Sequence, residues 1–439
     1  MAKTYNSYKD SGVEWIGEIP EGWEVLALKR IFKIIAGATP KSENEAYWDG
    51  DIAWITPADY KTEQKYVSFG RRNLSEQGYH ACSTVLLPKG SIVFSKRAPI
   101  GLVAITEREL CTNQGCLGCV PIRDVSNVFM YYLLSVYTEQ FELYGSGTTF
   151  KEISANNFAN FKLMLPPLSE QQSIASFLDT KCGEIDSLIS LQEEMISELQ
   201  AYKQSVITEA VTKGLDPNAK MNCCASREKN DACISSSETQ PAIERKFKDS
   251  GVEWIGEIPE GWKTNRLKYL CSIATGNKDT QDSEEDGIYK FYVRSPIIEH
   301  SNSWTFEGEG ILMAGDGAGA GRVFHHAFGK YAVHQRVYRM ADFKSINTNF
   351  LYYYLSSLFC RIMDMGSAQS TVPSVRLPML TNFVVCIPPL SEQQSIATYL
   401  DSKTSQIDSL ITLKQQKIDE LKDYKKSIIY EYVTGKKRV

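Results

Sequence analysis

Segments that contain glycine, histidine or proline are the first candidates for catalytic or ligand-binding motifs, and none of them forms a complete catalytic pattern. The segment 315–321 (GDGAGAG) is as rich in glycine as a phosphate-binding loop, but it lacks the G-x-G-x-x-G spacing, and no G-x-x-x-x-G-K-[ST] occurs in the chain. G-x-S-x-G and H-E-x-x-H are also missing. Both Pro-Pro pairs precede leucine, whereas amino-group methyltransferases hold the target base with [DNS]-P-P-[YFW]. The sequence predicts no catalytic site, and 315–321 is predicted to be a turn between strands.

Three cysteines raise the question of a zinc site. Cys116 and Cys119 form a C-x-x-C pair with Cys111 upstream, but a single pair without a second one is a weak signal. The chain has 11 cysteines and no secretion signal at its N-terminus, which favours reduced thiols and a cytoplasmic protein. We therefore predict that these three cysteines are buried core residues and that the chain holds no metal.

Basic, amide and hydroxyl side chains in the two variable segments are better candidates for binding than for catalysis. Arginine and lysine can contact guanine or phosphate, and asparagine and glutamine can contact adenine, so these residue types suit recognition of a DNA groove. For any one of them, a solvated surface position is the more common alternative. The candidates are Lys96, Arg97, Asn113, Gln114, Thr148, Thr149, Lys151, Arg322, His334, Gln335, Arg336, Gln369, Ser370 and Arg376.

The chain is a tandem duplication of one large unit. KDSGVEWIGEIPEGW occurs at 9–23 and again at 248–262, and PPLSEQQSIA occurs at 166–175 and again at 388–397. The two copies of the second segment lie closer together than the two copies of the first, so the middle of the second unit is the shorter one. Two copies are too few for a solenoid. The middles contain short β-type runs and one helix each, which indicates a mixed α/β (α+β) fold.

A long helical pattern follows each Pro-Pro pair, over residues 169–212 and 391–434. Apolar residues at heptad spacing predict that the two helices form a coiled coil between the repeats. The alternative is that each helix packs on its own globular half. The predicted seam consists of Ile185, Leu188, Met195, Leu199, Tyr202 and Val206 in the first helix, and Ile407, Leu410, Leu421, Tyr424 and Ile428 in the second.

Charge separates the helices from the globular parts. The two helical segments carry net charges of −6 and −1, while the whole chain carries −5, so the remaining residues are mildly basic at +2. This balance permits binding to nucleic acid without demonstrating it. The patterns predict globular domains at 1–165 and 247–387, helices at 166–215 and 388–439, and a polar linker at 216–246.

The order of these segments resembles the specificity subunit of type I restriction-modification enzymes. The resemblance rests on PPLSEQQSIA followed by a long helix, twice, each behind a variable α/β unit. Smaller marks are 37–40 (GATP), 47–54 (YWDGDIAW), 87–92 (LPKGSI) and 433–436 (VTGK). The resemblance covers nearly the whole chain.

The resemblance implies a pseudo-two-fold protein with two target recognition domains, each of which recognises one half of a bipartite site on double-stranded DNA. The helices would form an antiparallel coiled coil that sets the spacing and docks two modification (methyltransferase) subunits. Those subunits would hold S-adenosylmethionine and methylate adenine at N6. Restriction subunits using ATP and Mg could join. This chain would bind no cofactor and would not be an enzyme.

Two other classes of protein remain open from the residues alone. A coiled-coil scaffold whose globular halves bind protein partners would bind without strong salt dependence, whereas DNA recognition requires it. A stand-alone DNA methyltransferase would bind S-adenosylmethionine by itself. The sequence does not supply the DNA target.

Overall fold

The computed structural model describes residues 4–61, 64–146, 151–215, 245–365 and 373–439. The chain divides into two compact units, unit 1 with Met1–Glu193 and Gln415–Val439, and unit 2 with Glu194–Lys414. The division passes through both long helices. The boundaries inferred from the sequence treat each helix as a separate segment, and they stay predictions. Residues 216–244 of the expected linker lie outside the described part of the chain.

Unit 1 combines short strands with helices. Its strands are β1 (Tyr8–Asp10), β2 (Glu18–Pro20), β3 (Glu24–Ala27), β4 (Phe32–Ala36), β5 (Trp48–Ile55), β6 (Tyr66–Val67), β7 (Arg72–Leu74), β8 (Ile92–Lys96), β9 (Ile100–Thr106), β10 (Cys111–Thr112), β11 (Cys116–Pro121) and β12 (Lys162–Leu165). Its helices are α1 (Glu76–His80), α2 (Asn127–Ser135), α3 (Thr138–Leu143), α4 (Ala155–Asn160) and the start of α5 (Leu168–Lys213). The principal sheet has the order β4-β11-β8-β9-β6, and a smaller one has the order β10-β5-β7.

Unit 2 also combines short strands with helices. Its strands are β13 (Phe247–Asp249), β14 (Glu257–Pro259), β15 (Lys263–Arg266), β16 (Ser272–Thr275), β17 (Tyr289–Tyr292), β18 (Glu299–Ser301), β19 (Phe306–Glu307), β20 (Gly310–Ala314), β21 (Phe324–Ala327), β22 (Lys330–Val333), β23 (Val337–Ala341) and β24 (Val384–Ile387). Its helices are α6 (Thr348–Met365), α7 (Leu377–Thr381) and the start of α8 (Leu390–Val433). Its two four-stranded sheets have the orders β16-β23-β20-β21 and β18-β17-β22-β19.

Most strand pairs are antiparallel, but β6 with β9, β10 with β5, and β17 with β22 are parallel. The predicted mixed α/β fold is therefore confirmed. The apolar run of β8 is buried between β11 and β9, and α2 and α3 contact β9. Within the described residues, no helix is long and apolar enough to cross a membrane.

The constant leader and the constant helix start contact each other in both units. The indole Nε1 of Trp23 donates to Glu170 at 3.3 Å, and that of Trp262 donates to Glu392 at 3.0 Å. Both indoles are fully buried, and both carboxylates lie in the first turn of a long helix, where the helix dipole favours negative charge. These two contacts explain why the separate segments EGW and SEQ are repeated together.

A buried glutamine follows each of these glutamates and joins three segments. Gln171 accepts from the Ser126 amide at 2.9 Å and donates to the Pro166 carbonyl at 2.8 Å. Gln393 accepts from the Asn347 amide at 2.6 Å and donates to the Pro388 carbonyl at 2.8 Å. The constant sequence therefore positions the short helices against the long ones.

We expect the variant Gln171→Ala to lower the free energy of unfolding by about 1–3 kcal/mol, because the Pro166 carbonyl and the Ser126 amide lose their partner. The matched control is Gln172→Ala at the exposed neighbouring position, which should change stability by less than about 0.5 kcal/mol. Urea unfolding followed by tryptophan fluorescence measures both. Equal effects at the two positions would contradict this role for the buried amide.

Helices α5 and α8 run antiparallel within each unit. In unit 1, the rings of Phe177 and Tyr432 pack at a tilt with centroids 4.5 Å apart, and Lys425 Nζ lies 2.6 Å from Asp186. In unit 2, Lys203 Nζ lies 2.7 Å from Asp408. The two ion pairs join equivalent positions, since 186 aligns with 408, and 203 with 425, when the two PPLSEQQSIA segments are superposed. Each pair lies on the helix–helix contact and fixes its register.

The heptad phase of the helices differs from the predicted one. Leu188, Tyr202, Leu410 and Tyr424 are exposed by 47–57% and lie outside the contact. Ile185, Val206, Ile407 and Ile428 are buried, and Met195, Leu199 and Leu421 are half-buried. Between residues 182 and 206 of α5, the positions that are not exposed are 182, 185, 189, 192, 195, 196, 199, 203 and 206, so the seam continues from Ile185 to Ile189, where the prediction continued to Leu188. Two heptad stripes overlap on each helix, and sequence spacing alone did not separate them.

Candidate nucleic-acid interface

A group of polar side chains gathers where β8 ends in unit 1. The Lys96 amide donates to the Gly115 carbonyl at 2.9 Å, and the Lys96 carbonyl accepts from the Ile153 amide at 3.0 Å. These two bonds place one loop on each side of Lys96. We call this group the first polar edge, and it consists of Lys96, Arg97, Asn113, Gln114, Lys151 and Glu152.

One carboxylate holds two cations on the first polar edge. Glu152 Oε1 lies 2.7 Å from Lys96 Nζ, and Glu152 Oε2 lies 3.5 Å from Arg97 Nη1. Arg97 and Glu152 also form a backbone β-bridge. Lys151 is exposed beside them. The edge carries a net positive charge, in which two of the three cations share one counterion.

The amide side chains of the first polar edge have different roles. The Asn113 side-chain oxygen accepts from the Gly115 amide at 2.9 Å and so shapes the turn. Gln114 is exposed and hydrogen-bonds the Thr39 hydroxyl. The chain passes very close here, because a Cβ on Gly37 would clash with the Asn113 carbonyl oxygen. Gln114 is therefore the amide that remains available to a ligand.

Unit 2 has an equivalent turn between β20 and β21. These strands pair antiparallel, which confirms that 315–321 is a turn between strands. Gly101 and Gly321, which align in the repeat, both have positive φ. A Cβ would lie 2.6 Å from Thr138 at Gly101 and 3.0 Å from Phe359 at Gly321, so each turn is pressed against a helix.

The second polar edge consists of Arg294, Asp316, Gln335, Arg336 and Arg376. Asp316 Oδ1 lies 3.0 Å from Arg294 Nη1, and Asp316 Oδ2 lies 3.7 Å from Arg336 Nη1. The Gly315 amide donates to the Arg336 carbonyl at 2.8 Å, which brings the two loops together. Here again one carboxylate holds two cations.

His334 is buried beneath the second polar edge and does not belong to its exposed surface. Its side chain is buried, with Nδ1 accepting from the Arg336 amide at 3.0 Å and Nε2 lying 3.5 Å from Asp279 Oδ1. Burial, and after it the charge of Arg294, lowers the pKa of the imidazole below its usual value. The ring shapes the loop that presents Gln335 and Arg336, and DNA contact by His334 itself stays a prediction.

The remaining candidates fall into two groups. Gln335, Arg336, Arg322 and Arg376 are exposed, Arg322 next to the turn and Arg376 just before α7. Thr148, Thr149, Gln369 and Ser370 lie outside the described residues. Contact with DNA stays a prediction for every candidate.

The three cysteines lie in three different hydrophobic clusters, as expected of core residues. Cys111 packs with Trp48 and Trp54, Cys116 with Tyr60, and Cys119 in the large core of unit 1. Burial raises the pKa of Cys111 to about 11 and that of Cys116 to about 12. Among the residues that the structure describes, no group of three or more His, Cys, Asp or Glu side chains could hold a metal ion.

The family model for the type I restriction modification DNA specificity domain matches residues 20–201 and 259–423, one match for each copy of the repeat. The chain belongs to this specificity family. The two matches include both polar edges, and they end within the long helices. The resemblance inferred from the sequence is thereby confirmed.

Similar specificity subunits occur in archaea and bacteria. The MjaIX specificity subunit of Methanocaldococcus jannaschii is 32% identical over 269 residues, which cover 61% of this chain and 55% of the relative. The EcoDI specificity subunit of Escherichia coli is 31% identical and covers 41% of this chain and 39% of the relative. The chain thus spans about half the length of these curated relatives. The MjaVIII subunit of M. jannaschii is 24% identical over 96% of this chain and 94% of its own.

Solved structures show the same fold. A chain from a study of complex assembly and conformational transition in a type I R-M system matches with a TM-score of 0.68 at 18% identity, covering 94% of this chain and 98% of that one. The HsdS subunit of Thermoanaerobacter tengcongensis matches with a TM-score of 0.50 at 17% identity, covering 95% and 98%. At these identities the likeness concerns the fold of the specificity family.

Four residues of the polar edges and their surroundings were missed by sequence reasoning: Thr39, Glu152, Arg294 and Asp316. Glu152 directly follows the candidate Lys151, and Asp316 lies in the glycine-rich turn, so both acids were close to residues already considered. Carboxylates repel the phosphates of DNA, so neither acid is a candidate for direct DNA contact by residue type. Arg294 had no signal, because it is distant from Asp316 in the sequence and meets it only through folding.

Proposed function

We propose that this chain is the DNA sequence-specificity subunit of a type I restriction-modification complex, in which each unit recognises one half of a bipartite site on double-stranded DNA. The observation that carries the proposal is the pair of polar edges. They occupy equivalent turns of a duplicated frame but carry different side chains. The backbone bridges Arg97–Glu152 and Asp316–Ser374 are equivalent in the two units, so Arg97 takes the place of Asp316. Equivalent placement with different chemistry suits the recognition of two different half-sites.

The proposed complex takes its chemistry from partner subunits. Two modification subunits would supply S-adenosylmethionine and methylate adenine at N6, and restriction subunits would supply ATP- and Mg-dependent steps. The support is the family membership together with the lack of catalytic motifs in the sequence. The long helices would set the distance between the half-sites. The alternative of a scaffold for protein partners is not favoured by the family.

The outer faces of the long helices are the proposed docking surface for the modification subunits. Leu188, Leu191 and Tyr202 on α5 are exposed, and so are the residues that align with them on α8: Leu410, Leu413 and Tyr424. We call these six residues the outer stripe. A helix with a second apolar stripe beside its seam is suited to packing against a further helix or sheet. Since the stripe is duplicated, it suits two copies of one partner.

We expect the purified chain alone to transfer no methyl group, and transfer to begin when its modification subunit is added. The physical reason is that base methylation needs a cofactor site and a target-base pocket, and the sequence carries the motif for neither. Labelled S-adenosylmethionine and genomic DNA provide the measurement, and the modification subunit without this chain is the control. Incorporation of label by the single chain would sink the proposal, as would target recognition that persists when this chain is omitted.

A further inference from the structure

We infer that Glu152 and Asp316 are specificity-determining counterions, which hold the cations of each polar edge away from DNA until the correct bases are present. This inference rests on the proposed function and assigns a role to two residues that do not themselves suit DNA contact. A carboxylate repels phosphate, so an acid in the middle of a DNA-binding edge weakens binding to the DNA backbone. Such an acid is useful if it favours the correct bases over other sequences.

In unit 1, Glu152 forms ion pairs with the two cations at the end of β8 and in the turn that follows. Each of its oxygens faces a different cation, with Lys96 at 2.7 Å and Arg97 at 3.5 Å. The carboxylate is half-buried, and the antiparallel bridge between Arg97 and Glu152 fixes the backbone on both sides. Both Lys96, whose side chain is largely buried, and the more exposed Arg97 are therefore already paired with a carboxylate.

In unit 2, Asp316 performs the same task from the other side. It lies on the turn itself, and its two oxygens face Arg294 at 3.0 Å and Arg336 at 3.7 Å. The bridge between Asp316 and Ser374 corresponds to the bridge between Arg97 and Glu152. Asp316 is more enclosed than either arginine, so the arginine heads are the mobile members of this triad.

The two acids are not copies of each other. By these equivalent backbone bridges, Glu152 corresponds to Ser374, and Asp316 corresponds to Arg97. The same ratio of one carboxylate to two cations is thus built twice from different positions. Duplication alone would have placed the acids at equivalent residues, so the shared charge balance points to a shared task.

The task follows from the two kinds of contact that DNA offers. Phosphate contacts are independent of sequence, depend strongly on salt and supply non-specific binding. A cation that must leave its carboxylate gains little from a phosphate alone. A guanidinium or ammonium group that meets a matching base edge gains directional hydrogen bonds as well. The counterion therefore lowers non-specific binding more than it lowers binding to the correct half-site.

The experiment compares Glu152→Gln and Asp316→Asn with the wild type in the assembled modification complex. Glu142→Gln and Asp286→Asn are the matched controls, because they remove the same charges from exposed side chains elsewhere in the same units. Binding is measured across a salt series on three duplexes: the full site, a site with one half scrambled, and a non-specific sequence.

For each edge variant we expect about tenfold tighter binding to the non-specific duplex and a salt slope steeper by about one to two, as one or two more phosphates are contacted. Affinity for the full site should change less. Each variant should tolerate scrambling of one half-site only, and the two variants should tolerate opposite halves. Glu152→Asp, which keeps the charge, should restore most of the wild-type discrimination.

An unchanged ratio of specific to non-specific affinity in both variants would overturn the inference, and so would weaker binding to all three duplexes, which would assign the acids a structural role only. Failure of the proposed function gives a different result, because the wild-type complex would then not distinguish the full site from the non-specific duplex. Assembly of each variant with the modification subunit, measured by sedimentation, verifies that it has folded.

Discussion

Replacing residues 263–387 with the corresponding segment of a specificity subunit that has another target should change one half of the methylated site and leave the other half unchanged. Arg294, Asp316 and Arg336 all lie inside the replaced segment, so the second polar edge is exchanged as a whole. Strands β15 and β24 pair with each other at the two ends of the segment, so the exchange does not split a strand pair.

The contact between the constant leader and the start of α8 lies outside the exchanged segment. Trp262 and Glu392, which hydrogen-bond each other, remain in place, as do the whole of α8 and the first polar edge. Methylome sequencing of cells that express the hybrid with the modification subunit gives the new site directly. The matched control is the same exchange from a subunit with an identical second half-site, which should leave the methylated site unaltered. A change in both half-sites would show that the two units do not recognise DNA independently.

Introducing glutamates into the part of the outer stripe that lies on one long helix should remove one modification subunit from the complex. We expect Leu188→Glu with Leu191→Glu to leave a complex with one modification subunit, and Leu410→Glu with Leu413→Glu to do the same. All four changes together should abolish assembly and methylation. Burial of a leucine side chain contributes about 1.5–3 kcal/mol, so losing two of them costs about 3–6 kcal/mol, a factor of roughly a hundred or more in affinity.

The stripe variants should leave the fold intact, because these four leucines are exposed and the helix–helix seam uses other positions. Ser190→Glu with Ser197→Glu provides the control, since both serines are exposed on α5 and point away from the stripe by helical periodicity. Analytical ultracentrifugation counts the subunits bound. If the leucine variants assembled with the full number of modification subunits, the outer stripe would not be the docking surface.

The architecture of this protein follows from local features of its sequence. The identical segments at 9–23 and 248–262 and at 166–175 and 388–397 established the duplication, and the long heptad patterns established two extended helices. These signals are local, because identity and periodicity are properties of consecutive residues. The clusters around Cys111, Cys116 and Cys119 confirm a further local prediction, since a lone C-x-x-C in apolar surroundings favours the core.

The tertiary structure decided which apolar stripe of the helices forms the seam. Positions 188 and 189 are both apolar, and stepping by three or by four from Ile185 gives a plausible heptad in either case. The tertiary packing selects the second choice, because Ile189 packs against the core of unit 1 whereas Leu188 is exposed. Leu188 and Tyr202, which the prediction placed in the seam, are exposed instead, and they belong to the proposed docking surface.

Tertiary structure also decided the character of the polar edges. Arg294, Asp316 and Arg336 lie far apart along the chain, and His334 is close to Arg336 in sequence yet buried beneath it. No periodicity relates these positions, because β17, β20 and β23 bring their loops together only through pairing in two different sheets. Residue types alone therefore identify the basic and amide side chains of the polar edges. The pairing of the arginines with a carboxylate, and the burial of His334, depend on how distant segments meet.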